Sequence, residues 1–248
     1  MLFRSVNAQG KYFGARMAIQ VGGANIEGIT LPLRGGVPVS GRVRVEGETT
    51  QSVASVQVLL RPAETGGLVF GPLPSQQVKA DGSFQMDDVG ADRYTISFTG
   101  VPEGFYVKSA RSGNLDVQAD GLEVAGLSPA PLDVVLSPNA GQVTGTVLDP
   151  RTQKAALATM VVLVPQEKER RDREAFYRTA TSDLFGQFTF KSVVPGEYRA
   201  YVWEEEVEYG AWMDPDFMKP LESRGEAVSV TEGGRHAIQV NLIAADAQ

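Results

Sequence analysis

The stretch that decides the fold is 181-TSDLFGQFTFKSVVPGEY-198. Phe188 and Phe190 alternate with polar residues, Asp183 to Gly186 reads as a tight turn, and Pro195-Gly196 reads as a second turn before Tyr198. Alternation with period two, bounded by turn residues, is the pattern of a strand with one buried face. A second copy of the pattern stands 104 residues earlier, where Phe84, Val89 and Tyr94 answer Phe188, Val193 and Tyr198.

The same step takes Val39 to Val143, Gly41 to Gly145, Val43 to Val147, Val58 to Val162, Val134 to Ile238 and Leu136 to Val240. The matches sit on alternating runs: Val37, Val39, Val43 and Val45; Val56, Val58 and Leu60; Tyr94, Ile96 and Phe98; Leu132, Val134 and Leu136. Gly66-Gly67 and Asp81-Gly82 punctuate them as turns. A period near a hundred residues means tandem domains. The expected fold class is all-β, with tandem Ig-like or transthyretin-like seven-stranded β-sandwich domains, the first over 37–138 and the second over 139–248.

The opening segment joins the series at a step of 209, which takes Ile19 to Val228, Val21 to Val230, Ile29 to Ile238, Leu31 to Val240 and Leu33 to Leu242. Residues 1–36 are therefore expected to be the terminal strands of a truncated upstream repeat, with Phe13 to Leu33 paired as strands. Other repeats of the same longer chain are the implied partners. The stretch from Met1 to Ala18 lacks a continuous apolar run, so no signal peptide or membrane span is expected there.

Composition agrees with an all-β chain. The 248 residues include 27 Gly and 14 Pro, many chain-turning residues for many short elements. The net charge of -7 opposes binding to nucleic acid or to an anionic membrane, both of which call for clustered Lys and Arg. The absence of cysteine removes disulfides, thiolate metal sites and cysteine nucleophiles.

Two segments depart from strand pattern. Residues 166–175 carry Glu167 with Arg171 and Glu169 with Arg173, spaced for i,i+4 pairing on a short helical insert; they stand where the middle segment has the Gly/Pro-rich run 64–75. The long loop 204–224 is rich in acids and aromatics, and Asp214-Pro215-Asp216 predicts a capped short helix.

Gly145-Thr146-Val147, Thr181-Ser182-Asp183, Gly186-Gln187-Phe188-Thr189-Phe190, Val193 and Pro195-Gly196-Glu197-Tyr198 resemble the carboxypeptidase regulatory-like domain family. Its usual signature runs G-x-V, then T-D-x-x-G-x-F-x-F-x-x-V-x-P-G-x-Y. The middle segment is similar in Gly41-Arg42-Val43, Asp81-Gly82-Ser83-Phe84, Val89 and Tyr94, with Ala91-Asp92 in place of Pro-Gly. The resemblance implies a transthyretin-like sandwich, grouped with starch-binding-like and collagen-adhesin-like folds, and an extracellular, cell-surface or periplasmic setting. It implies no peptidase activity, because the motif is structural.

No catalytic constellation stands out. The one histidine, His236, falls near the start of the last strand, and one His without Cys makes a zinc site a poor reading. Asp87, Asp88 and Asp92 lie close together as possible oxygen ligands for calcium, but their spacing fits no EF-hand and suits turn capping. Glu204-Glu205-Glu206 reads as a solvated strand end. Neither a metal nor a cofactor is implied.

Trp203, Tyr209, Trp212 and Phe217 are the candidate ligand-binding residues, since flat rings near carboxylates suit sugar faces and hydroxyls. The competing reading is that they clamp the long loop onto the sandwich. The expected function is a non-enzymatic spacer, scaffold or protein-binding module; the alternatives are a carbohydrate-binding module or the regulatory appendage of an enzyme encoded upstream. A surface protein or a polysaccharide is the partner each implies.

Overall fold

In the computed structural model the alternating runs form strands, because each can turn its apolar positions toward a facing sheet. The structure describes residues 2–6, 12–16, 19, 21–23, 25–47, 50–63 and 73–244. The expected turn at Gly66-Gly67 and most of the 64–75 run lie outside them. The chain divides into two compact units, residues 1–102 with 107–136, and residues 103–106 with 137–248. The described residues contain no helix long and apolar enough to cross a membrane.

Unit 1 opens with a small antiparallel sheet of β1 (Leu2–Val6), β2 (Tyr12–Arg16) and β3 (Arg34–Gly35). It continues with β4 (Val37–Val45), β5 (Gln57–Pro62), β6 (Ser75–Gln77), β7 (Ser83–Val89), β8 (Asp92–Thr99), β9 (Tyr106–Ser112), β10 (Leu115–Asp116), the single turn α1 (Val117–Asp120), β11 (Leu122–Val124) and β12 (Leu132–Ser137). Their two sheets run β10-β9-β12-β4-β7 and β11-β8-β5-β6. Val39, Val43, Val58, Leu60, Phe84, Tyr94 and Val134 are buried.

Unit 2 has β13 (Gly141–Leu148), β14 (Met160–Pro165), the single turn α2 (Lys168–Arg171), β15 (Arg178–Thr181), β16 (Gln187–Val193), β17 (Gly196–Val202), a second single turn α3 (Pro215–Met218), β18 (Glu226–Val230) and β19 (Arg235–Asn241). Its sheets run β16-β13-β19 and β15-β14-β17-β18. Val143, Val147, Val161, Leu163, Phe188, Phe190, Tyr198 and Val240 form the core.

The two units share internal design. In each, the last strand lies parallel to the first, β12 with β4 and β19 with β13. A register shift interrupts β4 between Val37 and Val39 and β13 between Gly141 and Val143. Opposite each shift stands a residue with positive φ, Asp88 at 56° and Ser192 at 52°, the backbone of a bulged strand. The Tyr94 hydroxyl donates to the Gly90 carbonyl at 2.9 Å, and the Tyr198 hydroxyl to that of Val194 at 2.8 Å.

Gly41 and Gly145 occupy the same tight place. A Cβ on Gly145 would lie 2.4 Å from Phe188 Cζ and 2.5 Å from the Ile238 carbonyl oxygen; on Gly41 it would lie 2.6 Å from Phe84 Cζ and 2.6 Å from the Leu132 carbonyl oxygen. Either glycine changed to alanine is expected to lose about 1–3 kcal/mol by overpacking, measured by chemical denaturation. Full stability in both variants would contradict this packing.

Four expectations need correction. Among the described residues unit 2 has seven strands in its sandwich, but unit 1 has nine, because residues 106–116 add β9 and β10 beside β12. Phe13 does pair, on β2, whereas residues 25–33 carry no strand and Val21, Ile26, Ile29 and Leu33 are exposed. Pairing of such a segment is stabilised by burial of one face, and these side chains remain in solvent.

The constant step of 104 also fails in two places. Val58 pairs with Phe98, but Val161 rather than Val162 pairs with Val202, so β14 is displaced by one residue. A one-residue slip moves a side chain to the other face, and Val162 indeed lies outside the sandwich core. On the last strand, Gly41 pairs with Leu132 and Gly145 with Ile238, a step of 106 that preserves the face.

Candidate functional site

The run Met160-Val161-Val162-Leu163-Val164 is apolar at every position, unlike the alternating runs around it. Such a strand is buried on both faces. Val161 and Leu163 enter the sandwich core, while Val162 and Val164 join Tyr177, Tyr201, Trp203, Val207, Trp212, Met218, Leu221 and Ile243 in a second cluster on the outer side of the sheet.

The loop 204–224 covers that outer side. Gly210, at φ 90°, turns the chain into a 3₁₀ turn over Ala211–Met213. The Asp214 side chain accepts from the Asp216 N–H at 2.8 Å and caps α3, with Pro215 at its first position, as the Asp-Pro-Asp sequence predicts. A second 3₁₀ segment, Lys219–Arg224, brings Leu221 down to 1% exposure. Tyr201 and Trp203 stack at 5.9 Å with 13° between their rings, and the Tyr201 hydroxyl donates to the Glu222 carbonyl at 3.3 Å. Burial pushes the pKa of Tyr201 and Tyr177 up.

The insert at 166–175 braces the same cover. Its helix is one turn long, followed by a 3₁₀ turn at Glu174–Phe176, and the expected pairing of Glu167 with Arg171 is replaced by other contacts. Glu167 instead approaches Arg170 at 3.6 Å, while Arg171 donates to the Pro165 carbonyl, the Gln166 side chain and Glu222, at 3.2, 3.1 and 3.2 Å. The Glu222 contact ties Arg171 across to the loop.

The four candidate aromatics do not present one flat exposed surface. Trp203 and Trp212 are 4% and 3% exposed, and Phe217 is half-buried against Trp203 with its ring tilted by 46°. Tyr209 alone is exposed, at 73%; its ring meets Trp212 edge-on at 77°, and its hydroxyl donates to Glu174 at 2.9 Å. That hydrogen bond to a carboxylate raises the Tyr209 pKa. A cavity of about 30 Å³ lies among Val164, Tyr177, Tyr201, Trp212 and Met218, room for about one water.

Other candidates are dispersed. Asp87 accepts from the Gln85 side chain and Asp92 from the Arg93 N–H, both at 2.8 Å. Among the described residues no group of three or more His, Asp or Glu is placed to hold a metal ion. His236 lies on β19, its Nε2 accepting from the Thr231 N–H at 3.2 Å. Glu204 pairs with Arg151, and Glu205 and Glu206 are exposed. Asp81 and Asp149 have lowered pKa values, the first mainly through the Ser83 hydroxyl and the second mainly through the Arg151 N–H, as turn carboxylates do.

Sequence reasoning missed Tyr177, Met218, Leu221 and Val207 as anchors of the cover. The signal that would have found them is the unbroken apolar run of β14, which requires something to lie over its second face.

No curated protein sequence matches the chain significantly. Among solved structures, the shaft pilin of Lactobacillus rhamnosus GG aligns at 11% identity over 83% of this chain and 97% of that one, with a TM-score of 0.29. The minor pilin of Streptococcus agalactiae aligns at 11% identity over 83% and 95%, with a TM-score of 0.32. A Pseudomonas aeruginosa protein provisionally described as carbohydrate-binding aligns at 14% identity over 42% and 88%, with a TM-score of 0.27. Residues 150–236, from the β13–β14 connection to the start of β19 and including the whole aromatic cover, match the profile of polysaccharide lyase family 4, domain II.

Proposed function

We propose that this chain is a non-catalytic β-sandwich module, a spacer, scaffold or protein-binding element of a longer cell-surface or secreted protein. The observation that carries the reading is the insertion of Trp212, Met218 and Leu221 against the outer face of the β14–β17 sheet. A segment whose aromatics are taken up in packing stabilises its own domain and leaves no platform for a sugar.

The matching bulges at Asp88 and Ser192 and the matching glycines at 41 and 145 support tandem repeats of the carboxypeptidase regulatory-like kind. On this reading residues 1–36 end an upstream repeat, and neighbouring repeats and a surface protein are the partners.

Carbohydrate binding is the second reading, favoured by the family match and by the exposed Tyr209. The full chain is to be tested on a glycan array and, because of that match, for release of unsaturated products from uronate polysaccharides. The proposal expects neither binding nor cleavage. Saturable glycan binding would move the module to the second reading, and turnover would end the non-catalytic one.

A further inference from the structure

The order β16-β13-β19 makes β19 an edge strand; among the described residues its other side is met only past its end, where Ile243 N donates to the Val202 carbonyl at 2.8 Å and Glu204 N to that of Ile243 at 2.9 Å. Its parallel register with β13 decides which backbone groups are used. Gln142 N donates to the Gly234 carbonyl and Leu242 N to that of Leu148, both at 2.9 Å, bracketing the ladder. In a parallel ladder this parity gives β13 the even-numbered residues of β19. The N–H and C=O groups of Arg235, Ala237, Gln239 and Asn241 therefore face away from β13, and all four residues are exposed.

Unit 1 closes the corresponding edge with its own chain, since β9 lies beside β12. The segment that supplies β9 runs through 100–121 between β8 and β11; its counterpart in unit 2, nearly equal in length, is 203–225 between β17 and β18. That counterpart is folded onto the opposite sheet as the aromatic cover. It cannot also close the edge, so the strand that completes this sheet must come from elsewhere.

The usual protections of an edge are missing from β19. It has no Pro, its register with β13 is unbroken from end to end, and its outward face carries one charge, Arg235, at one end.

We propose that β19 is a self-association edge that accepts β19 of a second copy of this chain. The two strands run antiparallel about Ile238, joining two three-stranded sheets into one of six strands across a two-fold axis. In this register Ala237 stands opposite Gln239 of the second copy and Arg235 opposite its Asn241, so like charges never meet. The neutral, short centre of the strand suits close backbone approach.

The test is sedimentation equilibrium of the full chain over a wide concentration range. Ala237→Pro removes an outward N–H and leaves the even-numbered donors to β13 in place. The double variant Ala237→Lys with Gln239→Lys sets lysines opposite each other across the pair and leaves the core untouched. The parent is expected to reach the mass of two chains, and the lysine variant to stay monomeric with the parent's circular dichroism and melting temperature. A parent that stays monomeric at its highest soluble concentration overturns the proposal. So does a dimer that survives both variants, which would place the contact elsewhere.

Discussion

Replacing Phe188 by alanine is expected to destabilise unit 2 by about 3–5 kcal/mol. The ring is 4% exposed, meets Phe190 edge-on at 5.3 Å and 61°, and lies against Gly145, which has no side chain to move into the space it leaves. The loss therefore combines transfer of the ring to water with a cavity walled by two sheets. Both tryptophans, Trp203 and Trp212, lie in unit 2, so denaturation followed by their fluorescence reports this unit directly. A loss below about 1 kcal/mol is a surface-like value and would contradict the packing.

Trp212 changed to alanine is expected to cost a similar amount, about 3–5 kcal/mol, although the residue belongs to a long connection rather than a strand. It is 3% exposed and packs in one cluster with Tyr201, Met218 and Leu221. Ordering the whole connection between β17 and β18 costs backbone entropy that it must offset with its own buried side chains. Tyr209 to alanine is the contrast: the ring is exposed, so its loss should change stability by less than about 1 kcal/mol. Equal melting temperatures for the parent and the Trp212 variant would show that the cover contributes little to stability.

The strands of the sandwiches were legible because their signal is local. Phe84 and Phe188, Val89 and Val193, and Tyr94 and Tyr198 each follow a turn at fixed distance, and the structure keeps all of them buried. What was illegible depends on partners far along the chain. Nothing in Tyr106–Ser112 says that it will lie beside β12, while the comparable residues of unit 2 form a helical cover. The displacement of β14 by one residue was hidden because Val161, Val162 and Leu163 are all apolar, and a pattern without alternation does not record its own register. The segment 25–33 misled in the opposite way, since its apolar positions fit the pattern of a closing strand yet remain in solvent.

The candidate aromatics were legible as residues but not as a surface. Four rings in one short stretch suit a sugar platform or a clamp equally well, and only burial separates the two. The clue lay in β14, whose unbroken apolar run needed a cover on its second face.

Exchange of the two indole N–H groups, read by NMR on the full chain with and without added polysaccharide, tests that cover most directly. With the Trp203 indole nitrogen buried beneath residues 204–224, its proton should be protected from solvent, and polysaccharide should shift neither indole signal. Rapid exchange of the Trp203 indole, together with polysaccharide-dependent shifts of either indole, would contradict the account and make the segment a binding surface.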